Sequence, residues 1–162
     1  METIEGRATV GDVDAFVERL AAIGEDHGGA VQAFDARYVV DREHLQRAVA
    51  LANRATEREE TIARDRSVEI LLYAAGRRQI HRALEMGVSE GECPVVVVVD
   101  GGDEAGASDA VAALLDTAET LGEYDPERVR EFFDVDEAEL AASAGTLADL
   151  VCERVALLSV EK

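Results

Sequence analysis

Lysine is almost missing from this chain: of its sixteen basic residues only the terminal Lys162 is not Arg, and 35 acids set the net charge at −19. An acid surplus with scarce Lys and abundant Ala, Val and Gly suits very high salt. There carboxylates keep a surface hydrated and salt screens their mutual repulsion. Long apolar runs are missing too. The purest, Val95 to Val99, falls far short of the roughly 20 residues that span a bilayer. The opening Met1-Glu2-Thr3-Ile4-Glu5 is acidic and has no apolar stretch of the secretory kind, so the expected location is the cytoplasm. Cysteine is limited to Cys93 and Cys152, without metal-ligand spacing and in apolar surroundings. They are expected as buried free thiols, not as a disulfide or a redox pair.

What is present is an apolar fraction of 48% in 162 residues, enough to build a core in a chain the size of one domain. A single domain over residues 1–162 is the expectation. The charge is uneven. From Ala36 to Leu84 there are ten Arg and seven acids, a balance of +3, which leaves −22 on the rest of the chain. Asymmetry of this kind marks an interaction surface, unless the arginines only lace helices through Arg–Glu pairs.

Along the chain, Arg7 to Val10 reads as a strand. Asp12 then opens a helix carrying Val13, Phe16, Val17, Leu20 and Ile23, stopped by Gly24. Ala30 to Tyr38 reads as a second strand. Asp41 caps a helix reaching about Arg54, and helical spacing continues from Thr56 to Ala75, with a break near Asp65 to Ser67. Gly76 ends it. Arg77 to Met86 is expected as a further helix with Ile80, Ala83 and Leu84 inward, closed by Gly87. Five consecutive valines suit a central strand buried on both faces. Ser108 is expected to cap a helix through Leu121. Asp125-Pro126 opens a short helix through Phe133, Asp136 with Glu139 resembles a capping box, and a last helix starts near Thr146. The fold class is α/β in the α+β sense, with a small mixed or antiparallel central sheet covered by several helices.

Groups for catalysis do not converge. His27, His44 and His81 have no His or Cys at i+3 or i+4, which argues against zinc. The loop Asp100-Gly101-Gly102-Asp103-Glu104-Ala105-Gly106 follows a strand and precedes a helix, the right place for a phosphate cradle. Two acids that would face the phosphates and the lack of Gly-Lys-Ser/Thr favour a solvated turn. A small-molecule- or phosphate-binding enzyme using residues 99–106 is therefore the rival reading. A purely structural adaptor is the other. Neither a metal nor another cofactor is called for.

Three stretches together resemble a known family: Ser67-Val68-Glu69-Ile70-Leu71-Leu72-Tyr73-Ala74-Ala75-Gly76-Arg77-Arg78-Gln79-Ile80, then His81-Arg82-Ala83-Leu84-Glu85-Met86-Gly87-Val88, and Leu150-Val151-Cys152-Glu153-Arg154-Val155-Ala156-Leu157-Leu158. Their order is similar to that of the Cgi-type small subunit of the KEOPS complex, also called the PRPK-binding proteins. The resemblance covers nearly the whole chain and rests mainly on core positions. KEOPS makes the threonylcarbamoyl modification on the adenosine beside the tRNA anticodon, with another subunit as catalyst. The resemblance therefore implies a non-catalytic subunit. It would dock on the small atypical kinase/ATPase subunit, reach other KEOPS subunits indirectly, and hold the single-stranded 3′ CCA end of tRNA.

Physical chemistry points to residues for both roles. Single-stranded RNA ends are held by cations on phosphate and by stacking on planar groups. Gly76, Arg77, Arg78, Gln79, His81 and Arg82 cluster suitably, with Arg54 and Arg58 on the preceding helix as further cations. Few rings are available for stacking, Tyr73 being the nearest. For the kinase subunit the candidates are Leu147, Val151, Arg154 and Leu158 on the last helix, with core packing as their competing role.

Overall fold

The computed structural model describes residues 1–143 and 145–161. In chain order the elements are β1 (Glu2–Val10), α1 (Val13–His27), β2 (Ala30–Asp35) and a 3-10 turn over Ala36–Tyr38. Next come α2 (Arg42–Glu57), α3 (Arg66–Ala75) and a one-turn α4 (Ile80–Ala83) that runs into a 3-10 turn over Leu84–Met86. β3 (Gly91–Asp100), α5 (Glu104–Ala112), a two-residue β4 (Asp116–Thr117), α6 (Pro126–Phe132), α7 (Glu137–Ala142) and α8 (Leu147–Glu161) complete it. The sheet order is β2-β3-β1-β4, and each neighbouring pair is antiparallel. This is the α+β class expected, with the antiparallel option realised.

β3 is central, and its valines divide between two cores. Side chains alternate across a strand. Val96 and Val98 therefore join Phe34 in the layer made by α2, α3, α6 and α8. Val95, Val97 and Val99 join Ile4, Ala8, Val31 and Ala33 beneath α1 and α5. All five valines are fully buried. At about 1.5–3 kcal/mol per buried apolar side chain, this strand anchors both layers.

Aspartate starts six of the α-helices. Asp12, Asp41, Asp65, Asp103, Asp125 and Asp136 each accept a backbone N–H from the first turn that follows, satisfying donors that a helix start leaves open.

Several boundaries differ from expectation for tertiary reasons. α1 passes through Gly24 and stops at Gly28, whose φ is 73°. Gly24 is a packing glycine: a Cβ there would stand 2.8 Å from the Gly29 carbonyl oxygen. β1 begins at Glu2 because Gly6 lies inside the strand, where a Cβ would come 2.6 Å from the Asp116 carbonyl oxygen. β2 ends at Asp35, whose carboxylate takes the Arg37 N–H at 3.0 Å and its guanidinium at 2.8 Å. The stretch after α2 is a loop, turned at Glu59 (φ 57°) and held by the buried carboxylate of Glu69. That carboxylate accepts the N–H groups of Ile62 and Ala63 at 3.0 and 2.7 Å. The helix expected from Ser108 to Leu121 starts earlier, at Glu104, and ends at Ala112. Pairing on β1 outcompetes it: Ala118 N–H reaches the Glu5 carbonyl, and the Glu5 carboxylate accepts from Thr120 and Leu121 N–H at 2.9 and 2.7 Å.

Cys93 is buried and Cys152 half-buried, and both are free thiols. Burial pushes each above its ordinary value, Cys152 to about 11. No helix among the described residues is long and apolar enough to cross a membrane.

His44 ties α2 to α3. Its Nε2–H donates to the Ala74 carbonyl at 2.7 Å while Nδ1 accepts the Val40 N–H at 3.4 Å. Burial lowers its pKa from the ordinary 6.5 against the opposing pull of that carbonyl. The folded state therefore holds neutral imidazole where the unfolded chain takes up a proton. Stability from this site is complete above the unfolded value and is lost as pH falls toward the folded one. Denaturant titrations between about pH 7 and about pH 5 at constant salt should show declining stability, and His44→Gln, which cannot titrate, should flatten that decline.

Candidate functional site

The arginine-rich turn is positioned by α3, whose residues Glu69 to Ala75 are all buried. A helix so enclosed fixes where its end emerges. Gly76 supplies the left-handed residue (φ 62°), with Arg77 N–H bonded to the Leu72 carbonyl and Gly76 N–H to that of Tyr73. Such paired bonds satisfy the last helical carbonyls. A Cβ at Gly76 would stand 3.2 Å from the Arg154 carbonyl oxygen. Gly76 therefore makes the turn and lets α8 approach, and its backbone faces the protein where a ligand was expected.

Arg77 also turns inward. Its guanidinium donates to the Phe132 carbonyl, reaches Asp134 at 3.4 Å and lies 5.3 Å from the Phe132 ring centroid. Arg154, on α8, comes from the other direction. It donates to the Phe133 carbonyl at 3.2 Å and the Asp134 carbonyl at 3.4 Å, and binds both oxygens of Glu139 at 2.6 and 2.9 Å. That hydrogen bonding to Glu139 raises its already high pKa. Two arginines thus clamp the turn between α6 and α7, where Asp134 holds a positive φ of 55°. With Gly76 and Leu157 they wall a cleft of about 160 Å³.

Beyond Arg77 the chain faces solvent. Arg78, Gln79, Ile80, His81 and Arg82 are all exposed, and Gln79 caps α4 without using its side chain. The expected inward set is split. Ala83 and Met86 are buried, whereas Ile80 is 47% and Leu84 57% exposed. The cause is length: four helical residues followed by a tighter turn carry Ile80 and Leu84 outward together. An apolar pair therefore stands among a histidine and arginines. Sequence reasoning missed these two because helical spacing with Ala83 made them look like core. The signal available was how few residues separate Gly76 from Gly87.

Arg54 and Arg58 are exposed at the end of α2 and line a different cleft, of about 270 Å³, with Tyr73, Ser159 and Val160. The C-terminal half of α8 contributes to both clefts. Arg47, spaced to share a face with Arg54 and Arg58, is paired to Glu43 at 3.0 Å. Arg37 pairs with Asp35, and Arg66 with Asp100 and Asn53. Much of the basic middle segment is thus internal scaffolding.

On α8, Leu147, Val151 and Leu158 are buried in the core, and Arg154 is spent on the clamp. As candidates for a partner surface the three apolar residues give way to packing, because the stripe they form is the one α8 turns toward α2 and α3. The exposed large apolar residues of α8 are Leu157 and Val160, at 39% and 79%.

The strand-to-helix loop at residues 100–106 is filled by its own acids. Glu104 accepts the Gly101 N–H at 2.8 Å and Asp103 that of Gly106 at 3.0 Å, so donors a phosphate would use are taken. The described residues contain no His, Cys, Asp or Glu cluster suited to a metal ion.

The family model described as kinase binding protein CGI-121 matches residues 12–159. No curated protein matches the chain at a significant level.

Because Arg77 clamps and Arg82 is solvent-facing, their replacement should separate cleanly. Arg77→Ala should cost about 1–3 kcal/mol of unfolding free energy through lost charged hydrogen bonds. Arg82→Ala should stay within about 0.5 kcal/mol. Chemical denaturation of both variants at one salt concentration checks this.

Proposed function

The chain belongs to the CGI-121 family of kinase binding proteins, and on that premise we propose that it is the non-catalytic KEOPS subunit that docks on the kinase/ATPase subunit and brings in tRNA by its single-stranded 3′ CCA end. One observation carries the RNA part. Ile80 and Leu84 stand exposed on the same short turn as Arg78, Gln79, His81 and Arg82. Unstacked bases need apolar or planar surface, and the phosphates between them need cations. This turn offers both within a few residues, on a base made rigid by the buried α3.

Within the proposed site the roles separate. Arg78 and Arg82 meet phosphate, His81 and Gln79 offer hydrogen bonds and planar faces, and Ile80 packs against a base. Gly76 and Arg77 place the turn without touching RNA. Arg54 and Arg58, from their separate cleft, extend the cationic track toward the acceptor stem. The adaptor reading without RNA draws on Arg37, Arg47, Arg66 and Arg77, each paired with an acid. It has no use for an exposed isoleucine beside His81 and Arg82.

Gel shifts in high potassium, with intact tRNA and with tRNA trimmed of its terminal CCA, test the reading. Intact tRNA should bind more tightly. Ile80→Asp and Arg82→Glu should each weaken the shift about tenfold or more, while circular dichroism and kinase binding stay unchanged. Equal binding of intact and trimmed tRNA would end the 3′-end reading.

A further inference from the structure

The turn that carries the exposed arginine Arg82 runs straight into an apolar groove. Leu84, just beyond Arg82, stands in the wall of a cleft of about 300 Å³ between α1 and α3. Val17 on α1 and Leu84 are its two exposed large apolar residues. The partly buried Val68 and Val88 line it with them, and β2 contributes only core side chains, Val31 and Ala33. A pocket of this size lies at the lower end of those that hold small ligands, roughly 300–1,000 Å³. It has room for one nucleoside and not for a run of them.

The groove and the turn differ in sign of charge. Asp14 and Asp65 line the groove, and among the described residues no Lys or Arg does. Asp65 commits Oδ1 to the N–H groups of Ser67 and Val68, at 2.8 and 3.3 Å, which leaves Oδ2 for another donor. Gln32, also in the lining, donates its side-chain amide to the Ala33 carbonyl at 2.9 Å, which leaves its oxygen as an acceptor. Apolar wall beside hydrogen-bond acceptors suits a neutral, donor-bearing group and repels phosphate. A single-stranded RNA has a phosphate between successive nucleosides and none after the last. Its terminal nucleoside has apolar base faces and donates from the 2′- and 3′-hydroxyls.

We propose that this groove holds the terminal nucleoside of the RNA and selects ends with a free 3′-hydroxyl over ends with a 3′-phosphate. The inference rests on the 3′-end reading above and adds where the strand stops and which end chemistry is accepted. The base packs against Val17 and Leu84. The terminal diol donates to Asp14 or Asp65, as ribose hydroxyls commonly do to carboxylates. Arg82 on the turn meets the last phosphate, so the change from cation to carboxylate marks the end of the strand. Strong salt screens long-range attraction, but a phosphate forced into contact with a carboxylate is still repelled.

Fluorescence anisotropy of labelled tRNA with the full chain in high potassium tests this. Four ends are compared: intact CCA, CCA with a 3′-phosphate, CC without the terminal adenosine, and tRNA without CCA. The 3′-phosphate and the loss of adenosine should each weaken binding about tenfold or more. In the double variant Asp14→Asn, Asp65→Asn the preference for hydroxyl over phosphate should fall toward one, and asparagine keeps the α3 cap. Val17→Trp, which fills the groove from an exposed position, should make intact and adenosine-less tRNA bind alike. Circular dichroism checks the fold of both variants. Equal binding of intact tRNA and tRNA without CCA overturns the 3′-end reading and the groove with it. If CCA matters but the 3′-phosphate costs nothing, the reading stands and the groove inference falls. An undiminished hydroxyl preference in the double asparagine variant has the same meaning. Weakened kinase binding by Val17→Trp with its tRNA binding unaltered overturns the groove in favour of a protein occupant.

Discussion

A run of five valines can be buried only if both faces of its strand are covered and both edges of that strand are paired. That requirement organises the molecule. It places β3 between β1 and β2, demands a helical layer on each side, and divides the apolar residues into two cores that meet at the sheet. α3 owes its burial to the larger of the two. The outward turn after Gly76 owes its fixed position to α3. A surface that must hold a flexible ligand gains from such a base, since less ordering is left to be done on binding.

Acidic residues do two kinds of work in this chain. Most are solvated, as a net charge of −19 requires. A smaller set is structural: aspartates cap the helices, Glu69 holds the loop after α2, Glu5 holds the chain after β4, and Asp100 gathers Asn53 and Arg66 at the end of the central strand. Burial pushes the Asp100 carboxyl up, but its hydrogen bonds from Asn53 and Arg66 outweigh that and hold it below the ordinary value. The arginines divide in the same way. Arg37, Arg66, Arg77 and Arg154 tie loops to the core, while Arg54, Arg58 and Arg82 remain at the surface. A count of charges sees a basic segment, and only partners reveal which cations a ligand can meet.

Much of the fold was legible. The valine strand, the Asp41 and Asp125 starts, the Gly76 stop and the last helix depend on local chemistry, and local chemistry is written in consecutive residues. The misread boundaries share a different cause. Gly6 and Gly24 look like breaks because glycine is a poor strand and helix former, yet each sits mid-element where another backbone comes too close for a Cβ. Leu114, Leu115 and Leu121 have helical spacing, but β1 offered edge pairing and the Glu5 carboxylate offered hydrogen bonds. The site was legible to the level of a segment. Which of its side chains face solvent was not: Arg78, Gln79, His81 and Arg82 are exposed, whereas Arg77 and Gly76 face inward and Ile80 and Leu84 outward.

By itself the sequence determined which elements exist and where most of them start, because capping, turn formation and side-chain alternation act over a few residues. It also determined family, by a match that runs over residues 12–159. Tertiary structure alone decided which side of each element meets solvent. Arg77 is a clamp because the α6–α7 turn happens to lie within its reach. Leu147, Val151 and Leu158 are core because α8 rests on α2 and α3. Whether a side chain packs or is presented depends on what stands opposite, and what stands opposite is tens of residues away along the chain.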